Sequence, residues 1–505
     1  MVNHQSFRAL AHSLQIVAAL LLVTLHTSCG SGNSDAGPLP GSTVRQSYSV
    51  ASLSGQYAVS VGDIGSLYLD GKGNIDSSRS IMIGQFFTPQ PPVTATGNYT
   101  VENNGRGFLS ISYSSDIVGP VTRVLRFMIL KDGSAVFTEL DATPFQLFFA
   151  NARFGNQTVQ RPLSGRIRKQ DSSAFNNSAI AGTYVYGACS DTSGSFTMDS
   201  AGNINGFDEL TARPFTYSGG AAIDSSTGLL NYSDNSLQTE TGGLFIVSSS
   251  EILFGSSPSA LPCDFASKQT PGIALADLLG SYVLFDRVEA PPLSNLGNSP
   301  VPVVARAALI TADGKGSLTG NEDLISSLNS VSTQSNQAIT GSITLNAGEG
   351  TLGFDASAPA HFPFFVDLYA ANSGSIYFVS PVQSNVLRTT SSGTLVAQES
   401  HAYSDSSLSG DYAVQMDGYD RTMLAKLTFD GTGHVTGSED INIQGLFITN
   451  GVSLEGSYTI GSNGRGTMSL SSFFGTANYV MYLTSPSQFS VIGLDVVPMS
   501  GIGQQ

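Results

Sequence analysis

The feature that most narrows what this chain can fold into is a fourfold internal repeat. An aliphatic residue leading into Gly-x-Tyr occurs as Leu53-Ser54-Gly55-Gln56-Tyr57, Ile180-Ala181-Gly182-Thr183-Tyr184, Leu279-Gly280-Ser281-Tyr282 and Leu408-Ser409-Gly410-Asp411-Tyr412. Each opening precedes an Asp-x-x-Gly turn with an apolar residue two beyond the glycine, at Asp70 to Ile75, Asp199 to Ile204, Asp313 to Leu318 and Asp430 to Val435. A second turn recurs, as Gly97-Asn98-Tyr99 before Asn104-Gly105-Arg106-Gly107 and as Gly456-Ser457-Tyr458 before Asn463-Gly464-Arg465-Gly466. Degenerate forms end at Gly350 and near Gly228. The copies close on short segments ending in Gln170, Gln269, Gln398 and Gln505, so the repeats run over 53–170, 179–269, 277–398 and 407–505.

Glycine supplies the positive φ that tight hairpin loops need, and the flanks of these turns alternate apolar and polar residues. In repeat four, Leu424, Lys426 and Thr428 fall on one parity and Ala425, Leu427 and Phe429 on the other. Composition agrees, because 55 Gly with only 12% charged residues is poor in helix formers and rich in turn formers. Counting arms gives about eight strands per repeat: the Gly-x-Tyr strand, two arms for each of three hairpins, and the closing strand. The expected fold is all-β, four tandem repeats, each a small antiparallel meander. Such a meander either lies open with exposed edges or closes into an up-and-down barrel.

The first residues stand apart. Arg8 is the only charged residue in Met1 to Ser28, and it precedes the apolar run Ile16 to Leu25, too short to span a bilayer and suited to a signal-peptide core. Residues 1–28 are expected to be a signal peptide and 29–50 a flexible tether. Leu25-His26-Thr27-Ser28-Cys29-Gly30 resembles a bacterial lipoprotein lipobox, with the small Ser28 before Cys29, although His26 departs from the aliphatic residue usual there. The resemblance implies that Cys29 becomes a lipid-modified N-terminus. With Gly30 rather than Asp following, it further implies anchoring at the cell outer membrane, facing the periplasm or the surface. The alternative is an ordinary secreted protein with an incidental Cys29.

With Cys29 acylated, Cys189 and Cys263 remain as a pair in an oxidising compartment, and a disulfide is expected between them. Two buried thiols are the alternative. Cys189 ends the first strand of repeat two and Cys263 just precedes its last, so a bond requires those two strands to be neighbours. Closure makes them so, and each repeat is expected to form an up-and-down barrel. The topology loosely resembles calycin-type barrels, lipocalin-like or avidin-like, which also open with Gly-x-aromatic; the missing Trp departs from them. More closely, the motif set resembles the tandem β repeats of bacterial surface lipoproteins, which implies a place in the envelope and no particular activity.

An acidic pair stands at constant offset after the Asp-x-x-Gly turn. Asp208 and Glu209, Glu322 and Asp323, and Glu439 and Asp440 lie nine and ten positions after Asp199, Asp313 and Asp430; repeat one has Arg79 and Ser80 there. On an unbulged strand Asp208, Glu322 and Glu439 would point inward, as candidate ligand or cation contacts. The favoured expectation is different: Gly206, Gly320 and Gly437 mark a bulge that turns both acids to solvent. The turn arginines do not support pairing with these acids, since Arg106 lies in the copy lacking the acids and only repeat four has both.

Other chemistry is sparse. A net charge of -16 argues against nucleic acid and anionic lipid as partners. Three His remain beyond the signal, His361, His401 and His434, too dispersed for a metal site or a Cys-His nucleophile, and no Gly-x-Ser-x-Gly elbow occurs. No metal and no cofactor are expected. The Asp-x-x-Gly aspartates are expected to accept their own turn's amides rather than hold calcium. Arg153, Arg161, Arg166, Arg168 and Lys169 are expected to form the solvated face of repeat one's closing strand and its lead-in, with a polyanion site as the alternative. The reading is a non-catalytic, lipid-anchored envelope protein, a surface binding, adhesion or structural module whose ligand is a small molecule, glycan or protein. An exported carbohydrate-active or other hydrolytic enzyme is the alternative.

Overall fold

The turns fold as their residues dictate. In a computed structural model, the residues described are 47–505 apart from 62, 84–90, 116–118, 141–163, 188–191, 211–212, 235–239, 254–264, 290–302, 327–331, 356–364, 380–389, 419–420, 444–445, 448–450 and 495–498. Asp70 accepts from the amides of Lys72 at 2.7 Å and Asn74 at 2.9 Å. Asp199, Asp313 and Asp430 repeat the pattern. The Asn74 side-chain amide, donating at 2.9 Å, together with those backbone bonds, holds the exposed Asp70 carboxylate down at about 2. The turn closes through Gly73 at φ +104°, a conformation that strains an L side chain.

Barrel 3 displays the ladder whole. Leu279–Glu289, Val303–Asp313, Ser317–Ser326, Ser332–Asn346, Glu349–Phe354, Phe365–Asn372, Ser375–Val379 and Thr390–Ala397 each pair with the next, and the last returns to the first with Tyr282 opposite Ala397. Barrel 2 closes the same way from Gly182–Gly187 to Phe265–Lys268, with Tyr184 opposite Lys268. Barrels 1 and 4 close through Tyr57 opposite Lys169 and Ala413 opposite Gln504. The chain is thus four tandem eight-strand antiparallel barrels, the closure that removes sheet edges. In barrel 1 the third strand is split into Asn74–Ile75 and Ile81–Ile83, at the position where the acidic pair is missing.

Barrel interiors are filled. Tyr57, Val59, Leu67, Phe127 and Phe137 are fully buried in barrel 1, and barrel 4 stacks Tyr412, Phe429, Tyr458 and Phe489 edge to face or tilted, with centroids 4.9–6.0 Å apart. Each such side chain contributes roughly 1.5–3 kcal/mol by leaving water. The recurrent second-turn tyrosine has a structural role: the hydroxyls of Tyr99 and Tyr458 donate to the carbonyls of Leu53 and Leu408, pinning the start of the first strand.

The outward faces build a second level. Ser47–Gln505 form one compact unit. Ala58, Ile64 and Ile83 of barrel 1 pack on Phe245, Val247 and Leu253 of barrel 2. Val185 of barrel 2 packs on Tyr369, Ala371 and Tyr377 of barrel 3, and Val283, Phe285, Ala305 and Ala307 of barrel 3 on Val480, Tyr482 and Ile492 of barrel 4. The fourth seam joins Ala413 and Leu424 of barrel 4 to Met128, Leu130 and Val136 of barrel 1. In every seam the earlier barrel offers its first strands and the later one its last full hairpin, with barrel 4 standing as predecessor to barrel 1. Four copies of one head-to-tail interface therefore close a cycle.

Candidate functional site

The in-register acids are where chemistry was expected, and their two members have different fates. In barrels 3 and 4 the first acid points inward. Glu322 is buried in barrel 3 with Arg306 Nε 3.2 Å from its Oε2, and Arg306 Nη1 lies 3.8 Å from Asp286 Oδ2. Glu439 is buried in barrel 4, where desolvation raises its carboxyl to about 7 although Ser472 donates to it. Asp208 sits on Asn203–Leu210, opposite Gly194 and Phe215.

This corrects the bulge expectation. The ladder runs unbroken past Gly320 from Ala312↔Leu318 to Val304↔Ser326, and past Gly437 from Phe429↔Val435 to Arg421↔Ile443. These glycines are needed for close approach: a Cβ would stand 2.2 Å from the Leu309 carbonyl oxygen or 2.1 Å from that of Lys426. A bulge does occur, but on the facing strand, where Ser335 and Asn336 (φ 53°) bend around Asp323 and donate to it at 2.7 and 3.0 Å.

In barrels 3 and 4 the second acid points outward, into a neighbouring barrel. Arg465, in the Asn-Gly-Arg-Gly turn of barrel 4, donates from Nε and Nη2 to Asp323 of barrel 3, both at 2.7 Å, while Tyr482 donates to the same carboxylate. Burial raises the Asp323 carboxyl, but hydrogen bonds from Arg465, Tyr482 and Ser335 outweigh it and hold the group below its ordinary value. Arg106, in the matching turn of barrel 1, pairs with Asp440 of barrel 4, which also accepts from Arg126 at 3.3 Å and from the Gly451 amide at 2.9 Å. The turn arginines therefore do have the acids as partners, in the preceding barrel of the cycle rather than in their own.

The other two seams use different residues at the same place. In barrel 3 the turn residue is Glu349, which accepts from Ser195 of barrel 2 at 3.1 Å. In barrel 2 it is Leu229, buried against Ile64 and Ile83 of barrel 1, the barrel without acids. The closing glutamines add a second clamp. Gln170 donates to Ile246 and Thr227 carbonyls of barrel 2, Gln269 to Ala370 of barrel 3, and Gln398 to Asn463 and Leu483 of barrel 4. Gln505, one register position earlier, accepts from Lys131 of barrel 1.

Sequence reasoning missed the inward charges of barrel 1. Tyr113 donates to Asp63 at 2.6 Å and Arg123 pairs with Glu139 at 2.8 Å, all buried. The available signal was parity: Arg123 shares its face with Val121, Leu125 and Phe127, as Arg306 does with Ala308 and Ile310. The expected solvated basic face holds at the exposed Lys169 and is corrected at its neighbours, since Arg168 pairs with Glu251 of barrel 2 at 2.8 Å and Arg166 is half-buried beside it. Cys29, Cys189, Cys263, His361, Arg153 and Arg161 lie outside the described residues. His401 stacks near Tyr403 with centroids 4.1 Å apart, and His434 lies 3.5 Å from Glu455. No helix among the described residues is long and apolar enough to cross a membrane.

No protein-family profile matches the sequence, and no curated protein does. Solved structures similar to the chain include a double mutant of transferrin binding protein B from Haemophilus parasuis, 8% identical with a TM-score of 0.19, over 85% of this chain and 67% of that one. Another is a DUF3598-family protein of unknown function from Nostoc punctiforme, 8% identical with a TM-score of 0.14, over 46% of this chain and 98% of that one. At such scores neither likeness carries a functional argument.

Proposed function

We propose that this chain is a non-catalytic, lipid-anchored envelope protein, tethered to the outer membrane through Cys29 and acting as a structural or adhesion module. The observation that supports this reading is where the polar and apolar groups go. Barrel interiors are packed with Tyr, Phe, Leu and Ile, and the recurrent second acids that the structure describes serve as clamps between barrels. A carboxylate already saturated by a guanidinium and neutral donors is a poor acid, base or ligand for a further group. The closed cycle then acts as a stiff body whose exterior meets a glycan or protein partner.

The anchor is tested by metabolic labelling with a radiolabelled fatty acid. Label is expected in the native protein and lost in Cys29→Ser; retained label in the variant would sink the anchor. Adhesion is tested by displaying the native chain on cells that lack it. Unchanged attachment to host glycans and matrix proteins would leave only the structural role.

A further inference from the structure

Arg166 stands on Ser164–Lys169, the closing strand of barrel 1, opposite Val136. Its neighbour Ile167 packs in the barrel core, so Arg166 faces outward. Val136 belongs to the apolar seam with barrel 4, and Arg168, two residues on, pairs with Glu251 of barrel 2. Between those seams Arg166 faces the middle of the cycle, within electrostatic reach of Tyr377 of barrel 3. Tyr377 shares a 2.7 Å hydrogen bond with Ser267 of barrel 2. Residues of three barrels thus lie within electrostatic reach of one guanidinium.

Among the described residues that guanidinium has no ion pair of its own, although Glu251 and Asp132 lie within electrostatic reach. Its Nε is buried with no hydrogen-bond partner, and among the described residues no carboxylate pairs with it. The nearby acids Glu251 and Asp132 are engaged by Arg168, at 2.8 and 3.3 Å. Arg166 is half-buried on the closing strand, between the seams that barrel 1 makes with barrels 2 and 4. A half-buried cation is costly unless an anion accompanies it. Burial, and then Arg168, push its pKa down to about 10, which leaves it charged at neutral pH.

We propose that the guanidinium of Arg166, facing the centre of the cycle, binds a small inorganic oxyanion, phosphate or sulfate, with the Tyr377–Ser267 hydroxyl pair nearby. The planar guanidinium fork fits two oxygens of a tetrahedral anion. A chain of net charge -16 repels anions from its open surface, so an ion held here must be small and stripped of water. The ion would tie barrels 1, 2 and 3 together, and this holds whether or not the protein is anchored or adhesive.

The test uses the full chain with phosphate titrated at constant ionic strength. A ligand that binds only the folded state raises Tm saturably. The native protein is expected to show that rise, and Arg166→Met to need about tenfold or more phosphate for the same shift, the loss expected for a charged hydrogen-bonding partner. A crystal soaked in selenate is expected to show anomalous density at the Arg166 guanidinium. No saturable shift in the native chain, an undiminished response in Arg166→Met, or selenate density only elsewhere overturns the site. If Arg166→Met does not fold, the selenate position in the native crystal decides alone.

Discussion

The guanidinium of Arg465 in barrel 4 donates two 2.7 Å hydrogen bonds to Asp323 of barrel 3, across 142 residues of sequence. The carboxylate is fully buried and the arginine keeps 18% of its side-chain surface. Removing one partner of such a pair leaves an uncompensated buried charge, so Arg465→Met is expected to cost about 3 kcal/mol, read from the urea midpoint at pH 7. Arg106→Met at the seam between barrels 1 and 4 should cost a similar amount. The two seams share no residues, so the double variant is expected to be additive within roughly 0.5 kcal/mol. A strongly sub-additive double variant would mean that breaking one seam already opens the whole cycle.

Glu439 sets an opposite pH dependence to Asp323. Its folded-state pKa is raised from 4.5 to about 7, so between those values the native chain binds a proton that the unfolded chain has released. Stability therefore falls as pH rises through that window, by at most ~3 kcal/mol from this group. Glu439→Gln is expected to remove that slope and to be more stable than the native chain at pH 8, as thermal unfolding across pH 4–8 would reveal. Asp323 is lowered instead. Its contribution is present above the unfolded carboxyl value and disappears as pH falls through the folded one, which adds to acid unfolding below about pH 4.

Gln170 is buried between barrels 1 and 2, donating to Ile246 and Thr227 carbonyls and accepting from Ser66 at 2.6 Å. Gln170→Ala strands these groups away from water, and a cost of about 2–3 kcal/mol is expected in chemical denaturation. The conservative Gln170→Glu should cost at least as much, because a carboxylate cannot donate to the two carbonyls.

A disulfide in barrel 2 is expected from the cysteine count of an exported chain. The first and last strands of that barrel pair with Tyr184 opposite Lys268 and Val185 opposite Ser267. Peptide mapping of the exported protein without reductant is expected to yield a Cys189–Cys263 cross-linked peptide. Reduction should then lower Tm; free thiols at both positions would refute the bond.

The strand plan was legible because its causes are local. Asp70 and Gly73 make their turn with amides two and four residues away, and the parity of Ala425, Leu427 and Phe429 picks the inner face without reference to any other repeat. The acidic pairs were visible by offset, but the favoured bulge was wrong because Gly320 and Gly437 answer to a carbonyl on the adjacent strand rather than to an extra residue in their own. Arg106 was set aside for want of an acid in its own repeat, while Asp440 waits 334 residues away.

The sequence by itself determined how many strands, how many copies, and where each hairpin turns, since backbone conformation and side-chain alternation are set within a few residues. The tertiary structure alone decided which outward faces meet. A head-to-tail interface closes only if the rotation between successive barrels sums to a full turn, and that rotation emerges from whole packed surfaces. Hence Arg106 finding Asp440, and barrel 1 finding barrel 4, could not be read from either end of the chain.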